Sequence, residues 1–189
     1  MSAAALQRLT TAYVEEEDRL RISGEDGEGR TQVLWLTQRL LGRLVPHLCG
    51  WLEQQAPVLE GDGAVHAPAA GESGLARQMA QGFAQQAAQA QLAAQAPEPV
   101  AASVAGWLVN GVDMHATAQG VHLVLRGGQA GQGGPEAAMA LNAQALRQWL
   151  GIVHGQYVKA GWPLALWPAW MAQEAPLPGY GAGGAGVLH

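Results

Sequence analysis

The chain holds one cysteine, one phenylalanine and one lysine among 189 residues. A lone Cys49 excludes an intramolecular disulfide framework and a cysteine-rich zinc site. A lone Lys159 leaves no lysine for a phosphate loop, and no G-x-x-x-x-G-K-[ST] run occurs. Charge is scarce too: 13% of residues carry one, against a usual ~25%. The formal net charge of −5 gives no general attraction to nucleic acid or anionic lipid. No run of about 18 apolar residues is present, so no helical membrane span is expected. The first residues lack a basic stretch followed by an apolar one, and Glu15, Glu16, Glu17 and Asp18 follow soon after. A secretory or transit signal is therefore not expected, and the compartment read from this is the cytoplasm. The use of Ala, Gly and Arg in place of Lys suggests a GC-rich bacterial genome.

Apolar residues make up 49%, enough for a packed core, and seven of the aromatics are tryptophan. Residues 6–55 and 106–171 carry apolar periodicity and most of the tryptophan. Residues 56–105 between them are poor in large apolar side chains and rich in Ala and Gln. Residues 175–189 are glycine-rich with little to bury, which predicts disorder.

In the first zone, residues 9–14 are β-prone. Residues 19–22 alternate polar and apolar, the period of a half-buried strand. A Gly-Asp-rich link over 24–29 leads to a third strand at 31–36, apolar on both faces near its end. Thr37 is placed to cap a helix, its hydroxyl accepting an orphan N–H of the first turn. Leu40, Leu41, Leu44, Val45, Leu48, Trp51 and Leu52 then recur at helical spacing, with Pro46 expected to bend the helix.

The later zone repeats this order. Residues 107–114 read as a strand bulged near Gly111. Residues 121–125 alternate, 127–134 form a glycine link, and 137–141 are a short strand. Asn142 takes the capping place of Thr37. Leu146, Trp149, Leu150, Val153 and Tyr157 form the next helical stripe, which Gly161-Trp-Pro163 stops. Matching the two caps places residues 19–22 against 122–125. The expectation is a single α+β domain over residues 1–174. It consists of an antiparallel sheet from two βββα-like units, 6–55 and 106–160, with amphipathic helices packed on it. A helical Ala/Gln-rich insert occupies 56–105. Within it, Ser73 could cap a helix over 74–96 whose stripe is Leu75, Met79, Phe83 and Ala87, and residues 56–72 read as its flexible approach.

No specific catalytic or cofactor constellation is present, and no cofactor is expected. The glycine links lie between strands, where a dinucleotide loop would need a strand-to-helix junction. No G-x-S-x-G or H-E-x-x-H occurs. Of six histidines, His115 and His122 face each other across an expected hairpin, with Asp113 nearby. These three are the metal candidates; two solvent-facing hairpin residues without an evident third ligand are the plainer reading. His47 and His154 read as residues bordering the helical stripes. Cys49 reads as a buried structural thiol. The acids at 15–18 with Glu25, Asp26 and Glu28 lack calcium-loop spacing and read as a solvated strand edge.

Trp162, Trp167, Trp170 and Met171 lie in a Pro-broken run. Such indoles either close the core or meet a partner, and closure carries the greater weight. The functional expectation is a non-catalytic protein–protein interaction module of a bacterial cytoplasmic system: an adaptor, assembly factor or chaperone-like subunit. Its candidate partner-binding residues are Trp162, Trp167, Trp170, Met171, Leu75, Met79 and Phe83. One alternative is a metal-binding or hydrolytic domain centred on Asp113, His115 and His122. Another is a self-associating structural protein, a homodimer through the 74–96 helix. Nucleic acid and membrane are not expected partners.

Overall fold

The computed structural model describes residues 4–55, 74–92, 104–128 and 133–171. The expected tail at 175–189, the Ser73 cap and the approach at 56–72 lie outside the described residues. In chain order the elements are β1 (Ala4–Ala5), β2 (Gln7–Val14), β3 (Arg19–Glu25), β4 (Thr31–Leu36), α1 (Gln38–Gln54), α2 (Gly74–Ala90), β5 (Trp107–Ala116), β6 (Gly120–Gly127), β7 (Glu136–Asn142) and α3 (Ala143–Ala160). Short 3-10 turns occur at Glu15–Glu17 and Ala169–Met171.

The fold is α+β, but the sheet is mixed where an antiparallel one was expected. Its order is β1-β7-β6-β5-β4-β3-β2. β2-β3-β4 and β5-β6-β7 are antiparallel runs joined by hairpins. The pairs that link them, β4 with β5 and β1 with β7, are parallel. The cause is topological. α1 carries the chain back along the sheet after β4, so the next strand to pair there runs in β4's direction, as crossover connections require. Leu6 alone separates β1 from β2, and its N–H donates to the Ala138 carbonyl at 2.8 Å. Residues 4–14 therefore border β7 at their start and β3 along the rest, and the sheet curls until its two ends meet on one segment.

Local signals set the elements. The Thr37 hydroxyl accepts the Leu40 N–H at 3.2 Å, and the Asn142 side chain accepts the Ala145 N–H at 2.8 Å. Both caps are where the sequence places them. Gly161 ends α3 with φ of 66°, a conformation that costs glycine little. α1 runs on through Pro46, which lies on its exposed side. The pairing of β5 with β6 slips between Val109 and Gly111, so the bulge expected near Gly111 is present. A second slip, between Gln7 and Thr10, was not foreseen; Arg8 there has φ of 50°.

Register also corrects the expected match of 19–22 with 122–125. Leu20 pairs with Leu36, just before the Thr37 cap, and Val121 pairs with Leu141, just before Asn142. By register Leu20 corresponds to Val121, a displacement of two residues. The intervening links differ in length, and aligning through them introduces the slip.

One core collects the inward side chains of the strands and both amphipathic stripes. Leu20 and Ile22 of β3 and Val121, Leu123 and Leu125 of β6 are buried in alternation. Val33 and Leu34 are adjacent and both buried, so β4 is covered on two faces. The stripe residues of α3 are buried, as are those of α1 apart from a half-buried Leu40. Polar contacts pin the helices to strands. The Trp149 indole N–H donates to the Thr11 hydroxyl at 3.2 Å, and the Tyr13 N–H to the Gln156 amide oxygen at 2.8 Å.

Candidate interaction surface

α2 forms because Ala, Gln and Met favour a helix, and it docks by its glutamine face. Leu75, Met79, Phe83 and Ala87 point outward. Leu75 is 65% exposed, Met79 48% and Phe83 57%. The inward face carries Gln81, Gly82, Gln85 and Ala88. Three glutamines spaced four apart hold it. Gln81 donates to the Leu52 carbonyl at 3.1 Å, at the end of α1, where helical carbonyls lack intrahelical partners. Gln85 and Gln89 both donate to the Arg147 carbonyl of α3, at 2.9 and 3.2 Å. Gln148 returns a bond to the Ala88 carbonyl at 3.0 Å.

Arg147 is the centre of this contact. It is buried, and its guanidinium donates to the side-chain oxygen and backbone carbonyl of Gln81. It also lies over the Trp170 ring, 5.5 Å from the centroid. Among the described residues it forms no ion pair with a carboxylate. Burial lowers its pKa to about 10, because desolvation opposes the charged form. Sequence reasoning missed Arg147 and the glutamines. The signal was there in Gln81, Gln85 and Gln89, a polar stripe as regular as the apolar one.

Magnitudes show what this arrangement leaves undone. Each hydrogen bond to a neutral group contributes about 1 kcal/mol net. Full burial of a Leu, Met or Phe side chain is worth about 1.5–3 kcal/mol. With three such side chains roughly half exposed, about 2–4 kcal/mol of transfer free energy remains ungained on α2.

The tryptophan-rich segment is placed in the core. Trp162, Trp167, Trp170 and Met171 are all buried, which is closure rather than an exposed face. Tyr157, fully buried, meets Trp162 and Trp167 edge to face at 5.0 and 5.3 Å. The Trp170 N–H donates to Glu53 at 2.9 Å, and the Trp162 N–H to Asp18 at 3.0 Å.

His115 and His122 are register partners, as expected, with ring centroids 6.4 Å apart and both rings exposed. Asp113, two residues along, is held by Arg126 at 2.6 Å, and Arg126 also reaches Glu136 at 3.1 Å. Among the described residues no group of three His, Cys, Asp or Glu side chains is close enough to hold a metal ion. His47 is exposed. His154 is half-buried, edge-on to Trp167 at 5.1 Å, and desolvation lowers its pKa. Cys49 is buried, and desolvation, reinforced by Glu53, pushes its thiol up to about 12, far from a reactive thiolate.

The acidic residues divide by role. Glu15 and Glu16 line an open cleft with Tyr13, Val14, Lys159 and Ala160. Asp26 is instead a buried structural carboxylate, not part of the solvated edge expected for it. It accepts the N–H groups of Glu28 and Arg30, each at 2.9 Å, and the Arg30 guanidinium at 2.9 Å. It thereby organises the β3–β4 link, where Gly29 supplies a φ of 75°.

Among the described residues no helix is long and apolar enough to cross a membrane. Comparison with protein-family models, with curated proteins and with solved structures finds no match to this chain.

Proposed function

We propose that the protein is a non-catalytic interaction module, an adaptor or assembly subunit of a bacterial cytoplasmic system, and that α2 is its contact face. The observation that carries this reading is the orientation of α2. A helix fastened by glutamines turns Leu75, Met79 and Phe83 to solvent, and apolar side chains clustered in this way mark contact sites. The tryptophans, being core residues, pass the contact role to α2. The preference for Arg over Lys supports the bacterial assignment. The recurrence of three strands, an N-cap and a helix, each with a bulged first strand, supports descent of the two halves from one duplicated unit.

The test is affinity capture with the full chain. Replacing Leu75, Met79 and Phe83 together by Ser is expected to abolish capture of a specific protein while circular dichroism stays unchanged. Capture that survives the triple variant would overturn α2 as the face.

The register of His115 with His122 supports a second reading, a metal held by these two imidazoles and completed by a ligand from outside the described residues, since Asp113 is engaged by Arg126. Two imidazoles on one hairpin face suit a borderline divalent cation such as Zn²⁺. Elemental analysis of untagged protein tests it: stoichiometric metal lost in His122→Ala supports it, and metal-free protein removes it.

A further inference from the structure

We propose that α2 is a lid over a carboxylate-binding site centred on Arg147, and that the ligand is an acidic side chain on a peptide segment of a partner. This goes beyond the outward ridge of α2, and Leu75, Met79 and Phe83 take no part in it.

The first observation is how Arg147 is held. The residue is 5% exposed. Its two terminal nitrogens each donate to an oxygen of Gln81, one to the backbone carbonyl at 3.4 Å and the other to the side-chain oxygen. Two oxygens set before the two arms of a guanidinium is the arrangement in which arginine takes a carboxylate. Gln81 supplies it with neutral atoms. Among the described residues no carboxylate pairs with Arg147. A buried cation thus lacks its counter-charge, and bonds to a carboxylate are roughly twice as strong as bonds to neutral oxygens.

The second observation is how lightly the lid is fastened. α2 buries Gln81, Gly82, Gln85 and Ala88, none of them a large apolar side chain. Its glutamines hold the Leu52 and Arg147 carbonyls, and water replaces such bonds when a helix lifts. The side-chain oxygen of Gln85 is buried without a partner, a cost that lifting relieves. An element with so few buried apolar contacts opens at lower free energy than the strands beneath it.

What lies under the lid selects the ligand. α2 also rests on Ala169–Met171. There the Trp170 ring sets an apolar wall beside the guanidinium, 5.5 Å from ring centroid to cation. The Trp170 N–H is taken by Glu53 at 2.9 Å. That carboxylate disfavours a second dianion nearby, so a singly charged carboxylate fits where a phosphate does not. A ligand that binds only the lifted state draws α2 open in proportion to its concentration.

Hydrogen exchange of the full chain, read in residues 74–92, tests this with the peptide acetyl-Ala-Glu-Ala-amide at matched ionic strength. For a dissociation constant of about 5 mM from the lifted state, about 20 mM peptide should raise exchange there about fivefold. Strands β3 and β6 should not respond. The uncharged peptide acetyl-Ala-Gln-Ala-amide should have no effect. Arg147→Met keeps the aliphatic stem and should abolish the response. Gln81→Ala loosens the lid but keeps the guanidinium, so it should raise exchange without peptide and retain the response. Exchange unchanged by the Glu peptide overturns the proposal, as does an equal effect of the Gln peptide or a response that survives Arg147→Met. Inorganic phosphate acting as well as the Glu peptide would overturn the choice of ligand. Replacing Leu75, Met79 and Phe83 by Ser should leave the response intact, so loss of partner capture in that variant bears on the outward ridge alone.

Discussion

The side-chain amide of Gln89 lies across the backbone of Gly151, in the space where any other residue would carry its β-carbon. This contact lets α2 settle close enough to α3 for its glutamines to reach carbonyl oxygens. Gly155, one turn further along the same helix, has nothing within 4 Å of that position.

The two glycines give different expectations for one substitution. Gly→Ala inside a helix gains about 0.5–1 kcal/mol of backbone entropy. Gly155→Ala should realise that gain as a higher unfolding midpoint. At Gly151 the same change displaces the flexible Gln89 amide from the Arg147 and Gln148 carbonyls, a loss of about 1 kcal/mol. Gly151→Ala should therefore show no net gain in stability and raise amide exchange in residues 74–92 ahead of the strands. Equal effects at the two sites would contradict the packing described.

Arg147 and Gln81 should behave as one unit. Arg147→Ala removes a buried guanidinium, its contact with Trp170 and two bonds to Gln81. Gln81→Leu leaves the cation buried without the Gln81 side-chain oxygen, keeping only the backbone carbonyl. Each is expected to cost about 2–4 kcal/mol, since hydrogen bonds to charged groups are worth about 1.5–3 kcal/mol. The double variant should cost clearly less than the sum, because the residues share their partners. Additive urea-unfolding free energies would count against the coupling.

Asp26 should make stability acid-sensitive. Its pKa is lowered to about 2, chiefly by the Arg30 N–H and further by the Arg30 guanidinium and Glu28 N–H, against desolvation that raises it. The unfolded value is 3.8. A depressed carboxylate stabilises the fold fully above the unfolded pKa and loses that contribution as pH falls from about 4 through about 2. Asp26→Asn should lower stability at neutral pH and flatten the dependence below pH 4. Urea midpoints collected from about pH 2 to about pH 6 check both.

Cys49 should be silent in the native state. A thiol titrating near 12 and shielded from solvent presents almost no thiolate at neutral pH. Iodoacetamide labelling should be undetectable in buffer and complete in denaturant. Rapid native labelling would mean that α1 opens locally.

Most of the architecture was readable because it follows from local physics. The alternation around Leu20 and Leu123, the caps Thr37 and Asn142, the bulge near Gly111 and the two helical stripes are patterns of single segments. The facing of His115 and His122 followed from one short hairpin. The parallel seams were not readable, because strand direction at β4 and β5 depends on the return path through α1. The docking of α2 by its glutamines was not readable for a related reason. Periodicity marked Leu75, Met79 and Phe83 as a ridge and contact candidates, but the Leu52 and Arg147 carbonyls and the close approach at Gly151, which hold the opposite face, are supplied by other elements. Asp26 was grouped with the exposed acids because the bonds that bury it form only when the 26–30 link turns.

The curl of the sheet also bears on aggregation. Residues 4–5 pair with β7 and residues 7–14 with β3, so the start of β7 is covered, while among the described residues the outer edge of β2 and the rest of β7 have no strand partner. That protection is unevenly distributed: β7 owes it to a parallel contact of two paired residues, Ala4 with Ala137 and Ala5 with Ala138. If those few residues peel away, the small-residue strand Glu136–Asn142 becomes a docking edge. The shortest strand is thus the one that guards the start of this edge.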